Sequence, residues 1–262
     1  MSQKSISDIS TNHMLLAKRV LRSGRLICCA AIASLASSVA ANAAVSYVTF
    51  DPPGSALTFP QVINKTGAIT GWWLDSNQVT HGFVRAADGT ITAFDPAGST
   101  YTIDFGINDS GVIAGYWFAS TGPTHGFVRA ADGTFTTIAP SGSIATEPHN
   151  ISDDGTISGQ YRDSNSITHG FVRTADGTIT TFDPKGSIQT EAWGLDDKGS
   201  ITGWYIDGNN VFHGYVRNKS GKIKTFEFPG FDKTVGYGVR NAGITGYYFD
   251  SNGGAHGYLR SK

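Results

Sequence analysis

The chain has 262 residues, with 20 Lys and Arg against 21 Asp and Glu and a formal charge of −1. That balance excludes the strongly basic surface with which a nucleic-acid binder neutralises phosphates. Both cysteines, Cys28 and Cys29, fall in the N-terminal segment read below as a cleaved signal, so the remaining chain has no disulfide and must be held by packing.

Residues 1–43 carry Lys18, Arg19, Arg22 and Arg25, then a small-residue apolar run from Leu26 to Ala40, then Ala41-Asn42-Ala43. This is the pattern of a secretory signal peptide cut after Ala43. The run is too short and too rich in Ala and Ser for a spanning helix, which needs about 20 strongly apolar residues. Met14 would begin a shorter, more usual leader than Met1. Cleavage removes five basic residues and one acidic one, leaving 219 residues of charge −5. A chain of that size folds as one domain, secreted or periplasmic, with no membrane span, burying roughly 70% of its unfolded surface.

After the cleavage point, Val45 to Pro52 reads as one strand. From there Gly and turn residues interrupt every longer run, so the chain, 44–262, is expected to be all-β. His-Gly-Phe-Val-Arg begins at His81, His125 and His169, His-Gly-Tyr-Val-Arg at His213, and His-Gly-Tyr-Leu-Arg at His256, at spacings of 44, 44, 44 and 43. A period of about 40–45 residues with several short strands per repeat is the propeller signature. The repeat from Tyr101 divides into strands Tyr101–Asn108, Val112–Ala119, Thr124–Ala130 and Thr134–Ile138, separated by turns such as Asn108-Asp109-Ser110-Gly111. The expectation is a five-bladed β-propeller of four-stranded antiparallel blades. The fifth repeat ends at Arg260 without its outer strand, and Val45–Pro52 matches that strand. Pairing the two would close the ring and remove an exposed sheet edge.

Segments such as Gly106-Ile-Asn-Asp-Ser-Gly-Val-Ile-Ala-Gly115 followed by His125-Gly-Phe127 resemble the bacterial extracellular repeats of the HAF type, named for a His-Ala-Phe core. The resemblance spans Leu57 to Arg260, with Gly in place of Ala at every copy. It implies export and a propeller-like repeat fold, and it implies no activity.

The residues that recur read as scaffold. Asp75, Asp163, Asp207 and Asp250 end the second strand, with Ala119 the exception, and each is expected to bond the following histidine. Thr58, Thr102, Thr146, Thr190 and Thr234 recur on the first strand, and Arg85, Arg129, Arg173, Arg217 and Arg260 on the third. An aromatic row on the second strand, Trp73, Trp117, Tyr161, Tyr205 and Tyr248, is core material, flanked by Trp72, Tyr116, Trp204 and Tyr247 with Gln160 breaking the flanking row. The Asp-x-Asn hairpins resemble the start of a calcium loop but lack its other oxygen ligands. No metal and no cofactor is expected.

Where the copies differ, the first strand is informative, because it should be innermost and line the channel. One position carries Phe59, Ile103, Glu147, Glu191 and Val235; two residues on come Gln61, Phe105, His149, Trp193 and Tyr237. Glu147, His149, Glu191, Trp193, Tyr237, Phe105 and Gln61 are therefore the candidate ligand-binding set. Asp104, Glu147 and Glu191, with His149 beside them, are the weaker catalytic candidates, after the paired carboxylates of glycosidases. Asp104 aligns with Pro148 and Ala192, which puts it on the opposite strand face from the two glutamates. The leading expectation is a monomeric, non-enzymatic binding module for glycans or another cell-surface component. Its rivals are a glycan-active hydrolase around Glu147 and Glu191 and a structural surface protein.

Overall fold

A computed structural model of the protein describes residues 46–241 and 243–261, in two compact parts, Met1–Val48 and Thr49–Lys262. The expected signal segment 1–43 and Val45 lie outside the described residues. Ser46–Val48 of the first part are exposed and form no strand.

The described residues of the second part form strands and turns without a helix. The repeats run β1 (Ser55–Ile63), β2 (Ile69–Asp75), β3 (Thr80–Arg85), β4 (Ile91–Phe94); β5 (Tyr101–Ile107), β6 (Ile113–Phe118), β7 (His125–Arg129), β8 (Phe135–Ile138); and β9 (Ser143–Ile151), β10 (Ile157–Asp163), β11 (Thr168–Arg173), β12 (Ile179–Phe182). They continue as β13 (Ser187–Leu195), β14 (Ile201–Asp207), β15 (Phe212–Arg217), β16 (Ile223–Phe226) and β17 (Thr234–Arg240), β18 (Gly243–Phe249), β19 (Ala255–Ser261). Four repeats are four-stranded antiparallel meanders and the last has three strands. One parallel bridge, Thr80 to Tyr101, joins the first two repeats into a single sheet. The architecture is propeller-like.

Local chemistry explains the hairpins. The Oδ1 atoms of Asp75, Asp163, Asp207 and Asp250 accept backbone N–H bonds from the residues two and four further on. The aspartates close their own turns, so these segments are capped hairpins with their carboxylates already engaged. Gln78, Ser166 and Asn210 take the left-handed conformation those turns need, at φ of 67°, 64° and 61°.

The core lies between successive repeats. Phe83, Phe127, Phe171 and Tyr215, at one equivalent position, are fully buried. The last residue of each outer strand packs on the repeat that follows. Phe94 meets Phe127 at 6.3 Å between centroids and lies under Arg129, and Phe182 and Phe226 do the same to Tyr215 with Arg217 and Tyr258 with Arg260. Four of the five recurring arginines, all but Arg173, thus supply cation–π contacts. The same aromatic explains Gly in place of Ala in the repeat motif: a Cβ on Gly170 would stand 2.7 Å from the Phe182 ring.

The expected pairing of Val45–Pro52 with the last repeat is not formed as a ladder. Ser46–Asp51 carry no strand, and Leu259 on β19 is 68% exposed. The side-chain half of an outer strand is nevertheless in place on the first repeat. Phe50 packs on Phe83 at 6.0 Å and under Arg85, and Asp51 accepts a 2.6 Å bond from Thr58, as Asp95 does from Thr102.

Candidate functional site

Each first strand carries a β-bulge in its pairing with the second, and the skipped residue is Gln61, Phe105, His149, Trp193 or Tyr237 in turn. A bulge adds one residue to a strand and re-aims its side chain. The candidate row is therefore set by an irregularity that recurs in all five repeats rather than by plain alternation. All five residues line one cavity of about 360 Å³. His149 stacks on Trp193 at 4.0 Å and Trp193 on Tyr237 at 5.1 Å, while Phe105 meets His149 edge-on. Tyr237, 49% exposed, presents the open end of this stack.

The two glutamates sit one row away and do not line the cavity. Glu191 is buried, receiving bonds from Trp193 Nε1 at 3.0 Å and Gln189 at 3.3 Å. Loss of water around it pushes its pKa up to about 7 against the pull of the indole donor, and the Glu147 charge adds to the rise. Glu147 is held by Gln160 Nε2 at 3.0 Å, which explains why Gln160 interrupts an otherwise aromatic row. His149 donates from Nδ1 to the Ala192 carbonyl at 2.9 Å, and its Nε2 lies 4.0 Å from Glu147. Burial depresses its pKa, so the ring is neutral.

Asp104 stands apart from this cluster. It is fully buried between the first two repeats, where it accepts a hydrogen bond from Thr70, and its Oδ1 has no partner. Burial raises its pKa well above the ordinary range.

The repeated histidines do bond carboxylates, but mainly a different set from the one expected. Nδ1 of His81, His169 and His213 lies 2.7–2.8 Å from Asp95, Asp183 and Glu227 on the outer-strand side. The second-strand aspartates stand 3.4–3.8 Å from Nε2 because their turns hold them. Only in the last repeat does that aspartate bond directly, Asp250 to His256 at 3.0 Å. The second repeat has Ala119 and Ala139 at both positions, leaving His125 without a carboxylate. The rings also stack on the aromatic row, as His81 does on Trp73 at 4.5 Å. Among the described residues no group of three or more His, Cys, Asp or Glu is arranged to hold a metal.

Arg240, which the pattern of repeats had not singled out, also lines the cavity. The signal for it was the short last spacing. Asn64 and Asn108 lie five residues before the second-strand isoleucine, whereas Arg240 lies four before Ile244.

No family model and no curated protein matches the sequence. Solved structures similar in fold include TolB from Acinetobacter baumannii, at 12% identity and TM-score 0.51, over 78% of this chain and 54% of that one. Virginiamycin B lyase from Staphylococcus aureus matches at 17% and 0.50, over 79% and 71%. A prolyl endopeptidase matches at 12% and 0.53, over 80% and 36%. The chain thus spans about half of TolB and about a third of the endopeptidase. What is shared at these identities is the fold.

Proposed function

We propose that the protein is an exported, monomeric five-bladed propeller of the HAF-like type, formed by residues 44–262 after loss of 1–43, whose channel binds a saccharide without transforming it. Closure of the ring by Val45–Pro52 is supported from both ends of the gap. Phe50 and Asp51 do to the first repeat what Phe94 and Asp95 do to the second. In the last repeat, Gly257 has open space where Gly82 meets Phe94, and His256 has no outer-strand carboxylate. Docking the segment on β19 would fill that space with Phe50 and bring Asp51 to His256. Slow amide exchange across Gly257–Arg260, matching that of β15, is the expected result; exchange as fast as at a free sheet edge would refute closure.

The observation that carries the binding function is the convergence of five bulged residues, one from each repeat, on a single cavity. Tyr237, backed by Trp193 in the stack, offers a ring face suited to the apolar face of a pyranose, and Gln61, Asn150 and Thr245 offer hydrogen bonds to hydroxyls. Glycan-array binding by the purified protein should be lost in Tyr237→Ala, with the thermal transition retained. An array on which wild type and variant behave alike would count against this site.

One observation favours a second reading, a glycan hydrolase. Glu191, with a pKa near 7, has the protonation a general acid needs. That reading requires aryl-glycoside turnover that disappears in Glu191→Gln.

A further inference from the structure

We infer that the channel ligand is an acidic saccharide whose anionic group, a carboxylate or a sulfate ester, is held by Arg240 while a sugar ring lies on the open face of Tyr237. The inference rests on the channel being the binding site and adds the charge class of what binds there.

In the other repeats the position of Arg240 ties a hairpin turn together. At the end of the first strand, the Oδ1 atoms of Asn64, Asn108 and Asp196 each accept two backbone N–H bonds of the hairpin turn, and Ser152 Oγ bonds the Thr156 carbonyl. Asn64 and Asn108 also reach the next repeat, donating to the carbonyls of Asn108 and Ser152. Four copies thus spend this side chain on tying turns together. The fifth has a hairpin one residue shorter, in which Arg240 pairs directly with Gly243, and the position carries a guanidinium with no capping bond among the described residues. Departure from a local rule that the other copies keep is the mark of a functional position.

The electrostatic setting agrees. Arg240 is the one charged side chain among the described residues lining the cavity. It is exposed and takes part in no ion pair or side-chain hydrogen bond among the described residues. Several other cations are occupied by neighbours of their own. Arg85, Arg129, Arg217 and Arg260 lie over phenylalanine rings, Lys65 is bonded to Asp109 and Asp153, and Lys219 to Asp154. The rest of the wall is neutral, because His149 is buried with its pKa depressed. The glutamates lie in the row before the bulge and Arg240 three residues after it. Five residues, one of them the bulge, therefore separate the two rows along the strand direction, roughly 13–16 Å at strand rise. An anion at Arg240 is clear of both carboxylates, and a guanidinium holds a carboxylate or sulfate through two parallel hydrogen bonds. Tyr237 lies on the same strand as Arg240, so the ring platform and the cation are positioned by one element.

The test is calorimetric titration of the purified protein with three probes of equal length: a galacturonate oligomer, the neutral galactose oligomer and a sulfated galactose oligomer. Inorganic sulfate and benzoate serve as controls. The acidic oligomers should bind more tightly than the neutral one by about tenfold or more, the value of one charge-assisted pair. Arg240→Gln should remove that advantage while leaving neutral binding unchanged, and added salt should weaken acidic binding alone. A preference for uronate over sulfate, or the reverse, identifies the anionic group. Equal binding of acidic and neutral oligomers, insensitive to Arg240→Gln, overturns the inference and leaves the saccharide site standing. Binding of sulfate or benzoate as tight as that of the oligomers overturns the saccharide part. Failure of every oligomer to bind overturns the channel-binding reading itself.

Discussion

The outer hairpins and the inner strands of this protein answer to different constraints. On the outer side the copies repeat: His81, His169 and His213 meet carboxylates at 2.7–2.8 Å, and Phe94, Phe182 and Phe226 cover the next repeat's aromatic ring. On the inner side the bulged residue is Gln, Phe, His, Trp or Tyr. Repetition marks side chains that bond their own neighbours, since each copy must make the same contact. Difference marks side chains that share one space, where five copies of a large ring would not fit. The contrast teaches that in an array of repeats conspicuous residues are structural and discordant ones point to function.

Three substitutions would break or sharpen that contrast. The larger effect is expected at Glu191. Its pKa rises from 4.5 in the unfolded chain to about 7 on folding, so its contribution is fully present below about pH 4.5 and is lost as pH climbs through 7. The shift corresponds to about 3 kcal/mol in order of magnitude. His149, with its depressed pKa, works in the opposite direction, losing stability as pH falls below 6.5. Denaturant melts of wild type and Glu191→Gln across pH 4–8 isolate the first effect: the variant should gain on wild type steadily from pH 5 and level off above 7. A constant difference would place Glu191 among ordinary surface carboxylates. The smaller effect is at Ala139, on the repetitive side. Ala139→Asp should give His125 the Nδ1 partner that the other repeats have and Thr146 an acceptor, for about 1 kcal/mol and a melting point higher by roughly 2–4 °C. Ala119→Asp should do less, because that aspartate serves mainly its own turn. If Ala119→Asp were the more stabilising of the two, the outer-strand carboxylate would not be the principal partner.

Much of the fold was legible because its signals are local and recur. The turn at Asn108-Asp109-Ser110-Gly111 and the spacing of His-Gly-Phe placed β5–β8 to within a residue or two. The row from Gln61 to Tyr237 was legible as discordance between aligned copies, yet the bulge that aims it was not. A bulge is a mismatch between two strands and leaves no mark on either alone. For the same reason the outer-strand partners of the histidines, 14 residues on, were passed over in favour of the nearer aspartates, six residues before. The separation of Asp104 from the glutamates followed from its strand parity; its burial against Thr70 did not, since that contact joins two repeats.

The sequence by itself determined the all-β class, the number of repeats, the division of each into strands and the set of residues in which the copies disagree. These follow from periodicity and turn chemistry, which act over a few residues. Only the tertiary structure decided that the five bulged side chains share a cavity, that Glu147 and Glu191 lie behind it and that Arg240 faces it. Such facts depend on how separate repeats pack, and packing between distant segments is set by the whole chain rather than by any stretch of it.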